Sequence, residues 1–223
     1  MDQLEALIFD CDGVLFESRA ANLAYYNRIL AEFRYPPVAA DDHELSQFCH
    51  TASSPQVLES LLRREDLQSA LSFAATLDYR EFIPHMHPEQ HLEEVLRTLS
   101  CQYPLAVATN RGGSIGPILE HFAYRDYFSA VVTSQDVALP KPAPDMLLLA
   151  TEKLGRKPHN CLFIGDSELD KQAAAAADVR FASYGSLVTA PLRLTSHRDL
   201  LQYVQAENRE SPVTAKFSSS PAR

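Results

Sequence analysis

Residues 6–15 read Ala6-Leu7-Ile8-Phe9-Asp10-Cys11-Asp12-Gly13-Val14-Leu15, and the reading of this stretch decides the fold. Four apolar residues follow one another without polar alternation, as in a parallel strand covered on both faces. The run then breaks into two carboxylates two positions apart and a glycine that permits a sharp turn. Open parallel sheets bind ligands beyond the carboxyl ends of their strands, so Asp10 and Asp12 are placed to face one site. A calcium-binding loop is excluded on ligand positions. With Asp10 first, the sixth and twelfth residues are Leu15 and Ala21; with Gly13 sixth, the first and twelfth are Ile8 and Arg19.

Four further short runs have strand character: Leu105–Ala108, Ala130–Val132, Cys161–Ile164 and Val179–Ala182. Helical patterns lie between the later ones. Ile115, Ile118, Leu119 and Phe122 follow Ser114, a good N-cap residue, and Met146, Leu147, Ala150 and Leu154 precede Gly155, a good residue just past a helix end. Ala173–Ala177 favours helix and leads into the last run. Strands alternating with helices predict an α/β fold, a Rossmann-like, doubly wound and mainly parallel sheet.

One connection is too long for this plan. A parallel crossover needs a dozen or so residues plus loops, yet the chain travels from Asp10 to Leu105. The pattern Leu92, Val95, Leu96, Leu99 suffices to cover the sheet. Other helical patterns (Leu23, Tyr26, Leu30, Phe33, then Val57, Leu58, Leu61, Leu62) belong to an insertion that ends at Phe82-Ile83-Pro84. The expected organisation is a core of residues 1–16 and 84–205, an inserted α-helical cap domain of residues 17–83, and a Ser- and Pro-rich tail, 206–223, without order.

Composition narrows the function. The 223 residues are 46% hydrophobic and 22% charged, enough to bury a full core. A net charge of −9 argues against a nucleic-acid partner, which calls for a cationic surface. No stretch approaches the ~18 uncharged apolar residues needed to span a membrane. Met1-Asp2-Gln3-Leu4-Glu5 has no basic segment leading an apolar one, and the cysteines at 11, 49, 101 and 161 have no Cys-x-x-Cys spacing. A reducing, cytoplasmic location is expected, with Cys101 and Cys161 as small buried hydrophobes. The chain is expected as a monomer or homodimer.

The remaining strand ends carry complementary chemistry. Ile164-Gly165-Asp166-Ser167-Glu168-Leu169-Asp170 places Asp166 at a strand end and Asp170 one helical turn later. Carboxylates converging on one pocket repel unless a cation lies between them, and oxygen ligands of this kind suit Mg²⁺. The plainer reading is that Asp166 or Ser167 caps the helix that follows. Thr109-Asn110, then Arg111-Gly112-Gly113, offers a hydroxyl, an amide and backbone N–H groups suited to an anionic oxygen. Lys141 is the first lysine of the chain, held in extended backbone by flanking prolines, and would offset several acids.

In this order, these residues resemble the four motifs of the haloacid dehalogenase superfamily. Asp10-x-Asp12-Gly13-Val14 is similar to the first motif, Thr109-Asn110 to the second, Lys141-Pro142 to the third, and Gly165-Asp166-Ser167-x-x-Asp170 to the fourth. The resemblance covers residues 4 to 185 and implies a helical cap above the core. It implies that Asp10 attacks phosphorus and becomes an aspartyl phosphate, while Asp12 protonates the leaving oxygen and then activates water. Mg²⁺ would be held by the Asp10 carboxylate, the Asp12 backbone carbonyl and Asp166, with Asp170 directly or through water. Thr109, Asn110 and Lys141 would hold phosphoryl oxygens.

The resemblance also discriminates among activities. Dehalogenases of the superfamily generally lack the second aspartate, so Asp12 favours phosphoryl transfer. Phosphonoacetaldehyde hydrolases need a cap lysine, and none precedes Lys141. Beta-phosphoglucomutases typically carry a His soon after the first motif, whereas Phe16-Glu17-Ser18-Arg19-Ala20-Ala21-Asn22 has none. The expected activity is a Mg²⁺-dependent, phosphoglycolate phosphatase-like hydrolysis of a small phosphorylated metabolite. The alternatives are a sugar phosphomutase and a non-catalytic binding domain.

Several other residues invite a role. His85, His87 and His91 form a cluster, but two prolines among them favour a surface turn over a metal site. Arg63 and Arg64 read as a solvated helix face. Arg19, close to the entry of the insertion, is the candidate to meet the substrate's non-phosphate end. Cys11 is expected to point into the core.

Overall fold

A computed structural model describes residues 3–210. In chain order the elements are β1 (Ala6–Phe9), β2 (Phe16–Glu17), α1 (Arg19–Glu32), α2 (His43–Thr51), α3 (Ser54–Leu61), α4 (Arg64–Ala74) and β3 (His87–Pro88). There follow α5 (Leu92–Ser100), β4 (Leu105–Thr109), α6 (Ile115–His121), β5 (Ala130–Thr133) and α7 (Asp145–Leu154). The chain closes with β6 (Cys161–Gly165), α8 (Glu168–Ala176), β7 (Arg180–Tyr184), β8 (Leu192–Leu194) and α9 (His197–Glu210).

The main sheet has the order β5-β4-β1-β6-β7-β8, with every neighbouring pair parallel. It is the α/β, doubly wound arrangement that the unbroken apolar runs predict. Side-chain alternation divides each central strand between two cores. Leu7 and Phe9, Leu105 and Val107, and Leu162 and Ile164 enter one buried cluster; Ala6 and Ile8, Ala106 and Ala108, and Cys161 and Phe163 enter the other. Both faces of the sheet are therefore dry, which is why these runs show no polar alternation.

The sheet order also explains the site. β1 lies between β4 and β6, with Phe9 in register with Val107 on one side and Ile164 on the other. Residues that leave the carboxyl ends of these three strands must emerge side by side. Asp10, Thr109-Asn110 and Asp166 are those residues.

Helices α1–α4 bury a cluster of their own, centred on Leu23, Tyr26, Ile29, Leu30, Val57 and Leu58. A two-stranded antiparallel ribbon, Phe16 against Pro88 and Glu17 against His87, joins the chain where it departs toward these helices and where it returns. Helix α5 buries Leu92, Val95, Leu96 and Leu99, the four positions of its sequence pattern. Gly155 ends α7 with φ +64°, a left-handed conformation that costs glycine little.

Some expectations need correction. The strand β8 has no sequence signal; three residues at a sheet edge are too few for a period to register. Ser114 precedes α6 but makes no capping hydrogen bond with its side chain. Cys101 is exposed, because it follows the last residue of α5 on the solvent side, whereas Cys161 is buried. Residues 206–210, expected in a tail, extend α9, whose Val204 and Leu200 pack on the core. The rest of the expected tail, 211–223, lies outside the described residues. Among those described, no helix is long and apolar enough to cross a membrane.

Candidate active site

Four carboxylates and two cations meet at the carboxyl edge of the sheet, all of them buried. Lys141 Nζ is 2.8 Å from Asp10 Oδ1 and 2.6 Å from Asp170 Oδ1, and it donates to the Ala108 carbonyl at 3.1 Å. Burial alone would discharge the amine, but the paired carboxylates dominate and its pKa is raised. A fixed positive charge thus stands beside Asp10.

The second acid of the first motif faces elsewhere. Asp12 Oδ1 is 2.5 Å from Arg111 Nη2, and the same oxygen accepts from the Ser18 hydroxyl and, at 3.2 Å, from Asn22 Nδ2. Arg111 also donates to Asn22 Oδ1 at 2.7 Å and lies over the Tyr79 ring, 4.9 Å from its centroid. Burial pushes the Asp12 carboxyl up, yet the Arg111 charge, His50 and the hydrogen bonds together hold it below the ordinary carboxylate range. Asp12 borders the cavity described below, and the hydrogen bonds it accepts within the protein go to Oδ1.

Asp10 is in a different state. Burial is the main influence and pushes its carboxyl up to about 7; Lys141 opposes this, while the charges of Asp170 and Asp12 reinforce it. Asp166 is raised well above the usual range by burial and then by Asp170 and Asp10. Two neighbouring carboxylates of one strand-end row thus carry opposite shifts.

Among the described residues, Asp10, Asp166 and Asp170 form the group able to hold a metal, with one oxygen of each within 4.8 Å of the others. The fit to a hard cation rests on more than proximity. Asp166 Oδ1 is buried without a hydrogen-bond partner, which is costly for a carboxylate unless an ion completes it. Gly13 keeps the space clear: at φ +73° a Cβ there would stand 2.1 Å from Asp166 Oδ2. Oxygen-only donors of this kind suit Mg²⁺. Asp170 is also bound on the protein side, since its Oδ2 accepts from Ser167 N at 3.0 Å and Ser167 Oγ at 2.5 Å, closing a capping box on α8. Ser167 is therefore the helix cap, and Asp166 is free of that duty.

Asn110 has structural partners as well as a place at the cavity. Its side chain accepts from Lys141 N at 2.9 Å and donates to Lys141 O at 3.2 Å and to Thr51 O at 3.0 Å. The amide fixes the lysine loop and ties it to the end of α2, and Asn110 also borders the cavity described below. Thr109 Oγ1 accepts from Arg111 N at 3.1 Å, and Thr109 borders the cavity. Cys11 is buried in the sheet core, where burial pushes its thiol well up and makes it inert.

A cavity of about 740 Å³ opens between the core and helices α1–α4. Asp10, Asp12, Thr109 and Arg111 form its floor, and Tyr25, His50, Ser54 and Gln56 belong to its roof. Arg19 does not border this space. It donates to Gln47 at 3.3 Å and lines a second depression beside Asp166 and Ser167. The residues that sequence reasoning missed are Arg111, Asn22, His50 and Tyr79. Each meets Asp12 or its partners from 10 to 99 positions away, and no local spacing announces such contacts. His85, His87 and His91 take no part in the metal-competent group.

The comparisons with known proteins agree with this geometry. The chain matches the family model described as haloacid dehalogenase-like hydrolase over residues 7–184. It is 26% identical to the fructose-1-phosphate phosphatase of Escherichia coli (strain K12) over 182 residues, 79% of this chain and 94% of that protein. Its match to the phosphoglycolate phosphatase of the same organism is local, 42% identical over 89 residues, 39% of this chain and 35% of that protein. Among solved structures it is similar to a HAD-superfamily hydrolase, subfamily IA, variant 1, from Geobacter sulfurreducens PCA, with TM-score 0.79 and 38% identity over 90% of this chain and 99% of that one. Motifs, sheet order and family match converge: the chain belongs to the haloacid dehalogenase-like hydrolases.

Proposed function

We propose that the protein is a Mg²⁺-dependent phosphatase of small phosphomonoesters that works through a phospho-aspartyl intermediate at Asp10. The observation that carries this reading is the convergence of Asp10 and Asp166, from adjoining strand ends, with Lys141, from the loop after β5, beside a cavity that Asp12 also borders. The relatives named as phosphatases support it.

In the first step an Asp10 carboxylate oxygen attacks phosphorus and the ester oxygen departs with a proton from Asp12. In the second, Asp12 takes a proton from water, which displaces Asp10 and releases phosphate. Covalent catalysis of this kind divides one slow displacement into two, and a positioned acid–base group contributes about 10²–10⁴-fold. Lys141 offsets charge on the transferring group from a fixed position. Arg111, Ser18 and Asn22 occupy Asp12 Oδ1, which leaves Oδ2 for the reacting oxygens. The Arg111 charge stabilises the carboxylate that Asp12 becomes on giving up its proton in the first step, which is the form that takes a proton from water in the second. Held by Asp10 and Asp166, with Asp170 adjacent, Mg²⁺ would neutralise their mutual repulsion and withdraw charge from the phosphoryl oxygens.

Replacing Asp10 with Asn tests the reading. Phosphate release from a panel of phosphomonoesters with Mg²⁺ should vanish in that variant while the fold is kept. Retained turnover would falsify the assignment. Interconversion of sugar phosphates in the presence of a bisphosphate activator, without net phosphate release, would favour the mutase instead.

A further inference from the structure

Among the described residues that line the cavity, two side-chain donors are buried without an acceptor: Arg111 Nε and His50 Nε2. Arg111 already has a task. Its Nη2 serves Asp12 at 2.5 Å and Asn22 at 2.7 Å, and its Nη1 reaches Ser114 Oγ at 3.5 Å. No step of the phosphatase chemistry uses His50. It stands in the last turn of α2, 3% exposed, and borders the cavity from the inserted helices.

The neighbours of this ring place its hydrogen. Arg111 can only donate, and it donates to Asn22 Oδ1, as does the Tyr79 hydroxyl at 2.9 Å. The other end of the Asn22 amide is therefore its NH₂ group, which gives one hydrogen to Asp12 Oδ1 at 3.2 Å and the other to His50 Nδ1 at 3.4 Å. His50 Nδ1 is thus an acceptor, and the ring is a neutral imidazole with its hydrogen on Nε2. Burial, which lowers the pKa of the ring, favours the same form. The Nε2–H is fixed in direction and has nothing within the protein to donate to, a costly condition for a buried group.

Its place in the site indicates what would complete it. A Cβ on Gly13 would stand 3.2 Å from His50 Nε2 and 2.1 Å from Asp166 Oδ2, so the donor and this carboxylate close on one point over the first-motif turn. A cation satisfies carboxylates but not an N–H group, so the acceptor that the ring requires must arrive with the substrate. The residue after His50 is seated on the core. Asn110 donates to the Thr51 carbonyl at 3.0 Å and to the Lys141 carbonyl at 3.2 Å, so one amide joins the end of α2 to the lysine loop.

We infer, resting on the phosphatase reading, that His50 is a phosphoryl-binding residue supplied by the inserted helices, its Nε2–H donating to an anionic oxygen of the group held at Asp10. The hydrogen-bonded series Asp12, Asn22, His50 then has two effects: it fixes Asp12 and aims this donor. Lifting α2 from the core would remove the donor, so the phosphoryl site is complete only when these helices are seated.

Orthovanadate, a stand-in for the transferring phosphoryl group, tests this in the full chain with saturating Mg²⁺. By calorimetric titration, His50→Leu should bind vanadate at least about tenfold more weakly than the natural chain, and His50→Gln, whose amide can donate from nearly the same place, within about threefold of it. Nitrogen-15 spectra of the histidine-labelled natural chain should show the His50 ring with its hydrogen on Nε2, and vanadate should move that resonance. Equal affinity in His50→Leu and the natural chain would overturn the donor role and leave the phosphatase reading in place. Equal loss in His50→Gln and His50→Leu would also overturn it, since the ring would then act by its bulk. Should His50→Leu fail to fold, an Nε2 resonance unmoved by vanadate would overturn the role on its own. A natural chain that binds no vanadate with Mg²⁺ would overturn both readings.

Discussion

The Arg111 guanidinium meets the Asp12 carboxylate at 2.5 Å, Nη2 to Oδ1, with 99 residues of chain between them and both side chains buried. This pair holds the Asp12 carboxyl below the ordinary range while burial raises that of Asp10 two residues earlier. Removing one partner of a buried pair leaves the other charge uncompensated and costs about 3–5 kcal/mol. Arg111→Met is therefore expected to destabilise by that order, while Arg111→Met combined with Asp12→Asn should cost at least about 1 kcal/mol less than the two changes summed. Denaturant unfolding of the four proteins measures the coupling. Additivity within experimental error would mean that the contact does no more than fill space.

Gly13 and Asp166 make a second test, of the metal site. Mg²⁺ bound to the folded chain alone must stabilise it by mass action. Thermal unfolding should shift upward with added Mg²⁺ and return with chelator. Asp166→Asn should abolish the shift, and so should Gly13→Ala, whose Cβ would stand 2.1 Å from Asp166 Oδ2 on a backbone at φ +73°. An undiminished Mg²⁺ response in both variants would place the ion elsewhere.

A third prediction concerns pH. His197 is fully buried, with Nε2 2.7 Å from the Val14 carbonyl and Nδ1 without a partner, and burial lowers its pKa to about 4. Its folded pKa lies below the unfolded value, so the unfolded chain binds more protons between pH 6.5 and 4. Stability from this residue is complete above pH 6.5 and falls as the pH drops through that window, by about 3 kcal/mol in total. The difference between the stability profiles of the natural chain and His197→Gln should have this slope. Parallel profiles would contradict it.

Asn110 and Lys141 supply a fourth. The two hydrogen bonds between the Asn110 amide and the Lys141 backbone hold the loop from which the ammonium reaches Asp10. Each such bond contributes on the order of 1 kcal/mol. Asn110→Ala should lower kcat by about tenfold or more through displacement of the amine, and the pH dependence of what remains should keep its shape. Unchanged kcat would show that the loop is held by other contacts.

The sheet and its acids were legible because their signals are local. An apolar run of four or five residues followed by Asp10, Asp166 or Thr109-Asn110 announces both the strand and its functional end. The pattern of α5 was equally explicit, since all four of its apolar positions are buried. The environment of Asp12 was not legible. Arg111 reads in sequence as one more residue of a Gly-rich turn, and only the adjacency of β1 and β4 brings it against Asp12. The structural partners of Asn110 were not legible for the same reason, because they lie 31 and 59 residues away. Arg19 sits close in sequence to the first motif, but it lines a second depression beside Asp166 and Ser167 rather than the main cavity.

The most direct measurement of the central claim is acid-quenched mass spectrometry of the Mg²⁺-loaded protein mixed briefly with an accepted phosphomonoester. The account predicts a peptide spanning Asp10 heavier by one phosphoryl group, acid-stable but lost in mild base, present in Asp12→Asn and missing from Asp10→Asn. A phosphoryl group found on another residue, or phosphate released with equal speed from Asp10→Asn, would contradict it.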